Sequence, residues 1–483
     1  MSQFDSLGVQ YGCRFSNLNL EIKSLDTWST SRHCVLTRME DLTVASYSNI
    51  IKKSGGLIIQ LPKNFANLSA DTKNEIYEIE GIMLNSLINI PVYFSPYNAV
   101  LENIITDIHK MGSGNTLKKQ SSALSDLLSL VSSNGYQAIS SGSSHTPNKN
   151  VKLSIIKGEL LPVHKTKTSD QSKLSTIVIT ANISPFRVTN HVSFNPDAAL
   201  MTLIMDTLNK LYNSKHTAPD FKIMFLLSES GPLLNFQGTK KWLEDNQIQD
   251  VDFVLCLDTI VQPTLLENKR NIYMHVSKPP KDGSATNKFY KLFKETGEFY
   301  NVTIEGIHKK INLAEQQMPW EHERFGMKKI TSFTLSNVKN YKSIARNTIF
   351  IDDNELINSF NLNSQIVIET LIKYIFEIDN NKFSSNILAT PSKSIGTWKD
   401  IKSTMQTNDM KNAFEKYLQN VKTTYDKPDN RDPDFMLYNG PEAQLNIYKV
   451  KPAVFDLLLT IVIVSYLSTF YLALNYFLNS MKF

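Results

Sequence analysis

From Leu457 to Met481 the chain carries no charged residue: LLLTIVIVSYLSTFYLALNYFLNSM. Crossing the hydrocarbon of a bilayer takes about 20 apolar residues in a helix, so this segment is long enough to span. Tyr466, Tyr471 and Tyr476 add amphipathic rings of the kind that gather at membrane interfaces. Core helices of soluble proteins rarely run this long without a charge, and residues 453–481 are therefore read as one transmembrane helix. Everything before it must then form a body on one side of the membrane. Lys449 and Lys451 before the span, against Lys482 after it, mildly favour a cytosolic body. The opening MSQFDSLGVQYGCRF has no apolar core of a signal peptide. Taken literally, these features describe a tail-anchored protein; a start upstream of residue 1 is the alternative, and composition does not choose between them.

A chain of 483 residues exceeds the usual size of one hydrophobic core, so two or more lobes are expected. With 41% hydrophobic and 20% charged residues, wholesale disorder is excluded. The net charge of +5 is small for this length and its bases are scattered among acids, which argues against nucleic-acid binding. Three cysteines make no disulfide framework. Cys13 and Cys34 could pair in an oxidising compartment, but free buried thiols are the favoured reading for all three, with Cys256 inside the apolar run VLCL.

Apolar periodicity then divides the body. Residues 1–110 read as a small α/β lobe. It has strands at Gly56–Leu61 and Pro91–Phe94, a helix through Ile76, Ile79, Met83 and Leu87, and another through Leu101, Ile104, Ile105 and Ile108. Residues 111–150, rich in Ser, Gly and Asn, read as a surface excursion. Residues 151–378 alternate strand and helix. Strands are expected at Thr176–Thr180, Ile223–Leu227, Phe253–Leu257, Ile272–Val276 and Ile330–Leu335, which implies a mixed or largely parallel sheet with helices on both faces. Residues 379–452 read as a polar juxtamembrane connection. Within it lies one amphipathic helix through Ala413, Phe414, Tyr417, Leu418 and Val421, capped by Asn408.

In open α/β sheets the chemistry lies beyond the carboxyl ends of the strands. Those positions hold Asn182 and Ser184, then Asp197 at the start of a helix. After later strands come Glu229 and Ser230, then Asp258, with His322 inside Trp320–Arg324. Asp197, Glu229, Asp258 and His322 are oxygen and nitrogen ligands of the kind a two-metal hydrolase uses. The plainer alternatives are that Asp197 caps its helix and that Glu321–Arg324 is a solvated charged turn. His109 and His275 read as ordinary surface or core residues. HExxH, Walker A, GxSxG, CxxC and GxGxxG are all missing from the sequence.

The runs NFQGTKKWLEDN, VLCLDT, HVSKPP, KKINLAEQQMPWEHERFGMKKITSFTLS, RDPDF and YKVKPAVFDLLL closely resemble the nicalin family, nicastrin-like proteins of the endoplasmic reticulum membrane. The stretch YGCRFSNLNLEIKS with the later RHCVL also fits, and the likeness covers nearly the whole chain. The resemblance implies a zinc-aminopeptidase-like fold. On that pattern the first His ligand falls on Asn182, its orienting Asp on Ser184 and the bridging Asp on Asp197. The Glu-Glu pair falls on Glu229-Ser230, the next Asp on Asp258 and the final His on His322. Two ligand positions thus hold the weak, neutral groups of Asn182 and Ser230. The resemblance therefore implies no cofactor and a pseudoenzyme.

It further implies membership of a translocon-associated endoplasmic reticulum complex that supports multipass membrane protein insertion. Nodal modulator and a small multipass membrane protein are the implied partners, with a link to antagonism of Nodal signalling. The implied topology is a single-pass protein with a lumenal body and a cleaved signal sequence, from which the opening residues depart. A lumenal body would offer Asn67 and Asn301 as glycosylation sites, with the sequon at Asn182 enclosed. Lys449, Lys451 and Asp456 at the edge of the span, with Thr460, Ser465 and Ser468 within it, are the candidate contacts to membrane partners. The rivals are a membrane-anchored metallopeptidase and a cytosolic tail-anchored binding protein.

Overall fold

The computed structural model describes residues 3–6, 9–13, 17–113, 135–141, 152–162, 174–183, 195–214, 219–261, 271–315, 317–343, 346, 348, 353–378, 407–426, 435–438, 444–451 and 453–480. The amino-terminal lobe contains strands β1 (Gln3–Ser6), β2 (Val9–Cys13), β3 (Asn19–Lys23), β4 (His33–Arg38), β5 (Gly56–Gln60), β6 (Leu87–Ile88), β7 (Val92–Ser95) and β8 (Gly135–Ser141). Its helices are α1 (Val44–Lys53), α2 (Ala70–Asn85) and α3 (Ala99–Ser113). Strands β3, β4, β5 and β7 run parallel; α1 crosses from β4 to β5 and α2 lies between β5 and β7, while β3 reaches β4 through a turn segment without a helix. Alternation along these strands sends Val35, Leu57 and Ile59 to α1 and α2, and Cys34, Leu36 and Ile58 to α3. Leu87, expected at the end of a helix, starts the short β6 instead. Its predecessor Ser86 ends α2 in an extended conformation.

The main lobe is built on an eight-stranded sheet in the order β14-β13-β15-β12-β10-β11-β9-β16. Its strands are β9 (Leu153–Leu160), β10 (Ser175–Asn182), β11 (Phe221–Ser228), β12 (Val251–Leu257), β13 (Asn271–Val276), β14 (Thr303–His308), β15 (Ser332–Ser336) and β16 (Gln419–Asp426). The four central strands β15, β12, β10 and β11 are parallel, while β9, β13 and β16 join antiparallel. Helices are α4 (Pro196–Tyr212), α5 (Gln237–Asp245), α6 (Ala285–Phe299), α7 (His322–Met327), α8 (Asp353–Phe376) and α9 (Thr407–Tyr417).

Both faces of this sheet are covered. Ile177, Ile179, Phe225, Phe253, Leu255 and Phe333 face α4, α6, α8 and α9; Val178, Met224, Leu226 and Val254 face α5 and α7. On the first face Phe253 packs against Phe289, Phe333 and Tyr374 with ring centres 5.2–5.3 Å apart. Near-continuous apolar strands are what two-sided burial demands, and the fold class expected from the sequence is the one observed.

The segment read as a polar connection supplies an edge to each sheet. β16 pairs with β9, β17 (Phe435–Tyr438) with β1, and β18 (Gln444–Val450) with β8. Within the expected surface excursion, β8 pairs with β3 in the amino-terminal sheet. β16 and β18 were missed because their exposed edge positions carry polar residues, which weakens the period-two signal, and β17 because FMLY is only four residues long. The amphipathic helix ends at Tyr417. Val421 lies in β16, and Asn408 is the second residue of α9, after Thr407. The last element is α10 (Ala453–Ser480). Within it Phe455–Leu478 has a mean hydropathy of 2.2 and none of its most apolar stretch is buried against the protein.

Candidate functional site

The carboxyl ends of β10, β11 and β12 bring Asn182, Ser228–Ser230 and Asp258 to one edge of the main sheet. Asn182 is opposite Ser228 in the parallel register. Helix α4 begins beside them. Its N-cap is Asn195, whose Oδ1 accepts from Ala198 N at 3.0 Å and whose Nδ2 donates to the Asn182 carbonyl at 3.1 Å. Asp197 is therefore not the cap. Its two carboxylate oxygens accept the amides of Thr259 and Ile260, each at 2.8 Å. This holds Thr259 in its left-handed conformation, φ 55°. Asp197 keeps part of its surface exposed, yet its carboxylate is enclosed by protein. Burial, then the nearby Asp258, push that carboxyl up to about 7, against the pull of the two amides.

Asp258 is occupied by an arginine. Arg346 Nε donates to Oδ1 at 3.1 Å and Nη2 to Oδ2 at 2.5 Å, a forked ion pair whose side chains are 1% and 9% exposed. The guanidinium carbon lies 4.4 Å from the Trp320 ring centre, and Nη1 reaches the Tyr341 carbonyl at 3.3 Å. A planar cation that is never deprotonated suits such a fork better than any other side chain. Sequence reasoning missed Arg346, since nothing local marks SIARNTIF as part of a site.

Below the strand ends a polar row crosses the buried sheet. Thr180 is opposite Cys256, Cys256 opposite Thr334, and Thr334 opposite His275. All four are buried, and they form the bed for Trp320, Glu321 and His322. Glu321 Oε2 accepts from Thr180 Oγ1 at 2.6 Å and Asn182 Nδ2 at 2.8 Å, and Oε1 accepts from Thr239 Oγ1 of α5 at 2.6 Å. Burial raises its carboxyl, and these three donors oppose the shift. His322 Nδ1 meets Thr334 Oγ1 at 2.8 Å, and burial, with His275 nearby, lowers its imidazole to about 3. His275 stacks on Trp320 at 4.0 Å, bonds the Val338 carbonyl at 2.9 Å, and is lowered by burial to about 4. Glu323 is buried too, and burial pushes it up to about 7. The solvated-turn alternative for Glu321–Arg324 is thus overturned: Glu321, His322 and Glu323 are each 1% exposed.

The remaining predicted positions are also engaged. Glu229 turns toward β9, where Oε2 accepts from Ser154 N at 2.9 Å. Ser230 is fully buried, 2.7 Å from Ser228 Oγ and accepting Gly238 N at 2.8 Å. Asn182 Oδ1 is buried and finds no hydrogen-bond partner among the described residues. Ser184 lies outside the described residues. No set of three or more His, Cys, Asp and Glu among the described residues is arranged to hold a metal ion. Cys34 and Cys256 are free and buried, and burial raises both thiols. Asn67 and Asn301 are exposed, the latter at φ 55°. Lys449, Lys451 and Asp456 are exposed, and Thr460 Oγ1 bonds back to the Asp456 carbonyl at 2.7 Å.

Among solved structures, the crystal structure of the gamma-secretase component nicastrin superposes with a TM-score of 0.61, over 93% of this chain and 98% of that one, at 12% identity. Sheet, helices and terminal apolar helix define the class: a nicastrin-like α/β body with one C-terminal candidate transmembrane helix. No protein-family model matches the chain. BOS complex subunit ncln of Danio rerio is 31% identical over 99% of this chain and 89% of its own length. BOS complex subunit NCLN of Homo sapiens is 31% identical over 99% and 88%. Nicalin of Caenorhabditis elegans is 24% identical over 100% and 90%. The chain belongs to the nicalin family, in agreement with the resemblance read from its sequence.

Proposed function

We propose that this protein is a non-catalytic scaffold subunit of a translocon-associated endoplasmic reticulum complex, of the kind the name BOS complex subunit denotes in its relatives. Its body is lumenal and its single span lies in the endoplasmic reticulum membrane. The complex supports multipass membrane protein biogenesis, alongside a Nodal modulator-type subunit and a small multipass protein, and the link to Nodal signalling follows the same family reading. The observation that carries the non-catalytic reading is the Arg346–Asp258 fork. A metal ion at Asp258 would have to displace a buried cation already satisfied by two hydrogen bonds and an aromatic face. The other family positions support the same reading. Asn182 serves Glu321, Ser230 serves Gly238 and Ser228, Asp197 serves two backbone amides, and His322 serves Thr334. Each group that would act on a metal or water is used to hold the fold.

Affinity purification from gently solubilised membranes tests the assembly, and metal analysis with aminoacyl reporter substrates tests the chemistry. The reading predicts recovery of the multipass partners, zinc no higher than a buffer-only control, and no turnover. Stoichiometric zinc with hydrolysis lost on Asp197→Ala would establish the peptidase instead.

A further inference from the structure

Strand β18 ends at Val450, and α10 begins three residues later at Ala453. Three residues reach at most about 11 Å, and two helical steps to Phe455 add about 3 Å. Val450 therefore stands no more than about 14 Å from the start of the apolar stretch, while the headgroup layer is itself about 5–8 Å deep. Val450 is not on a loose tether. It pairs with Gly135 of β8, and Lys449, Tyr136 and Ile22 lie opposite one another across β18, β8 and β3. At about 4.8 Å per strand, β3 is only about 10 Å to the side.

Helix α3 is tied to the same end. Tyr136 OH donates to Asp107 at 3.1 Å, and His109 Nδ1 lies 3.6 Å from Asp26 just beyond β3. Lys110, Lys449 and Lys451 are exposed there, offset by the exposed carboxylates of Asp26 and of Glu21, which lies beside Gly135 and pairs with Lys23 at 2.7 Å.

We infer that the β18–β8–β3 end of the amino-terminal lobe rests on the lipid headgroup layer, with Lys449 and Lys451 contacting lipid phosphates. The inference rests on reading α10 as a membrane span. The anchor then joins the amino-terminal lobe through a short link to a paired strand, so this end of the lobe can stand off the membrane by no more than the reach of that link.

The test uses the full chain in vesicles of phosphatidylcholine and phosphatidylserine containing a nickel-chelating headgroup lipid as quencher. A fluorescent side chain is placed by codon reassignment at position 26, 449 or 444. Gln444 opens β18, about 20 Å up the strand from Val450. Quenching at 26 and 449 should exceed that at 444 by about threefold or more, given the steep distance dependence over that rise. Equal quenching at 26 and 444, or strong quenching at 449 with none at 26, overturns the inference. Carbonate extraction is run in parallel. Release from the membrane would defeat the span reading and this inference together, whereas retention with an unquenched position 26 defeats this inference alone.

Discussion

Arg346→Met removes the cation from Asp258 while keeping most of the side-chain volume. In the wild type the fork has bonds of 3.1 and 2.5 Å, and both side chains are nearly excluded from water. The methionine leaves a carboxylate at a buried position with Thr259 Oγ1, 2.9 Å away, as its remaining side-chain donor among the described residues. Breaking one partner of a buried pair costs about 3–5 kcal/mol, because the surviving charge is uncompensated. Loss of the guanidinium from the Trp320 face adds about 1 kcal/mol. The expected destabilisation is therefore about 4–6 kcal/mol, read as a fall in the urea midpoint at unchanged slope for the detergent-solubilised chain. Adding Asp258→Asn should return more than half of that loss, since the orphaned charge is gone. Arg346→Lys should fall between, because an ammonium cannot make the fork. A loss under about 1 kcal/mol for Arg346→Met, or a double variant no more stable than the single, would refute the claim that the arginine neutralises Asp258.

His322 and His275 are held neutral, with imidazoles lowered by burial to about 3 and about 4. The unfolded chain takes up their protons below about pH 6.5 and the folded chain does not, so each weakens the fold by about 1.4 kcal/mol per pH unit from there down to its folded value. The stability advantage of wild type over His322→Gln should accordingly shrink between pH 7 and 4; an advantage that is flat or grows on acidification would contradict the burial argument. Endoglycosidase treatment of protein made in microsomes should shift its mobility, with Asn67→Gln and Asn301→Gln each removing a step and Asn182→Gln none, because Asn182 Nδ2 is committed to Glu321. No shift, with protease sensitivity of the body from the cytosolic side, would favour the tail-anchored rival. Replacing 453–481 with an unrelated span should abolish recovery of the multipass partner while Asp197→Ala with His322→Ala leaves it intact; the reverse result would make the strand-end cleft the docking site.

The elements with strong local signals were legible in the sequence. Strands such as Thr176–Thr180 and Phe253–Leu257 are apolar because both faces are buried, and the uncharged stretch after Asp456 is long because a bilayer is thick. Motif runs carried the family, since they are local strings. Strands β16 and β18 were not legible, because polar edge strands are defined by the partner they pair with, and the four-residue β17 is likewise defined by its pairing with β1. The site divides the same way. Asn182, Asp197, Glu229 and Asp258 could be named from their places after strands, but not what they bind. Arg346 lies 88 residues from Asp258, and Glu321 lies 141 from Thr180. Whether a carboxylate faces an arginine, a threonine or a metal depends on distances of a few ångströms between distant segments. Desolvation then sets its charge, and only the tertiary structure decides it.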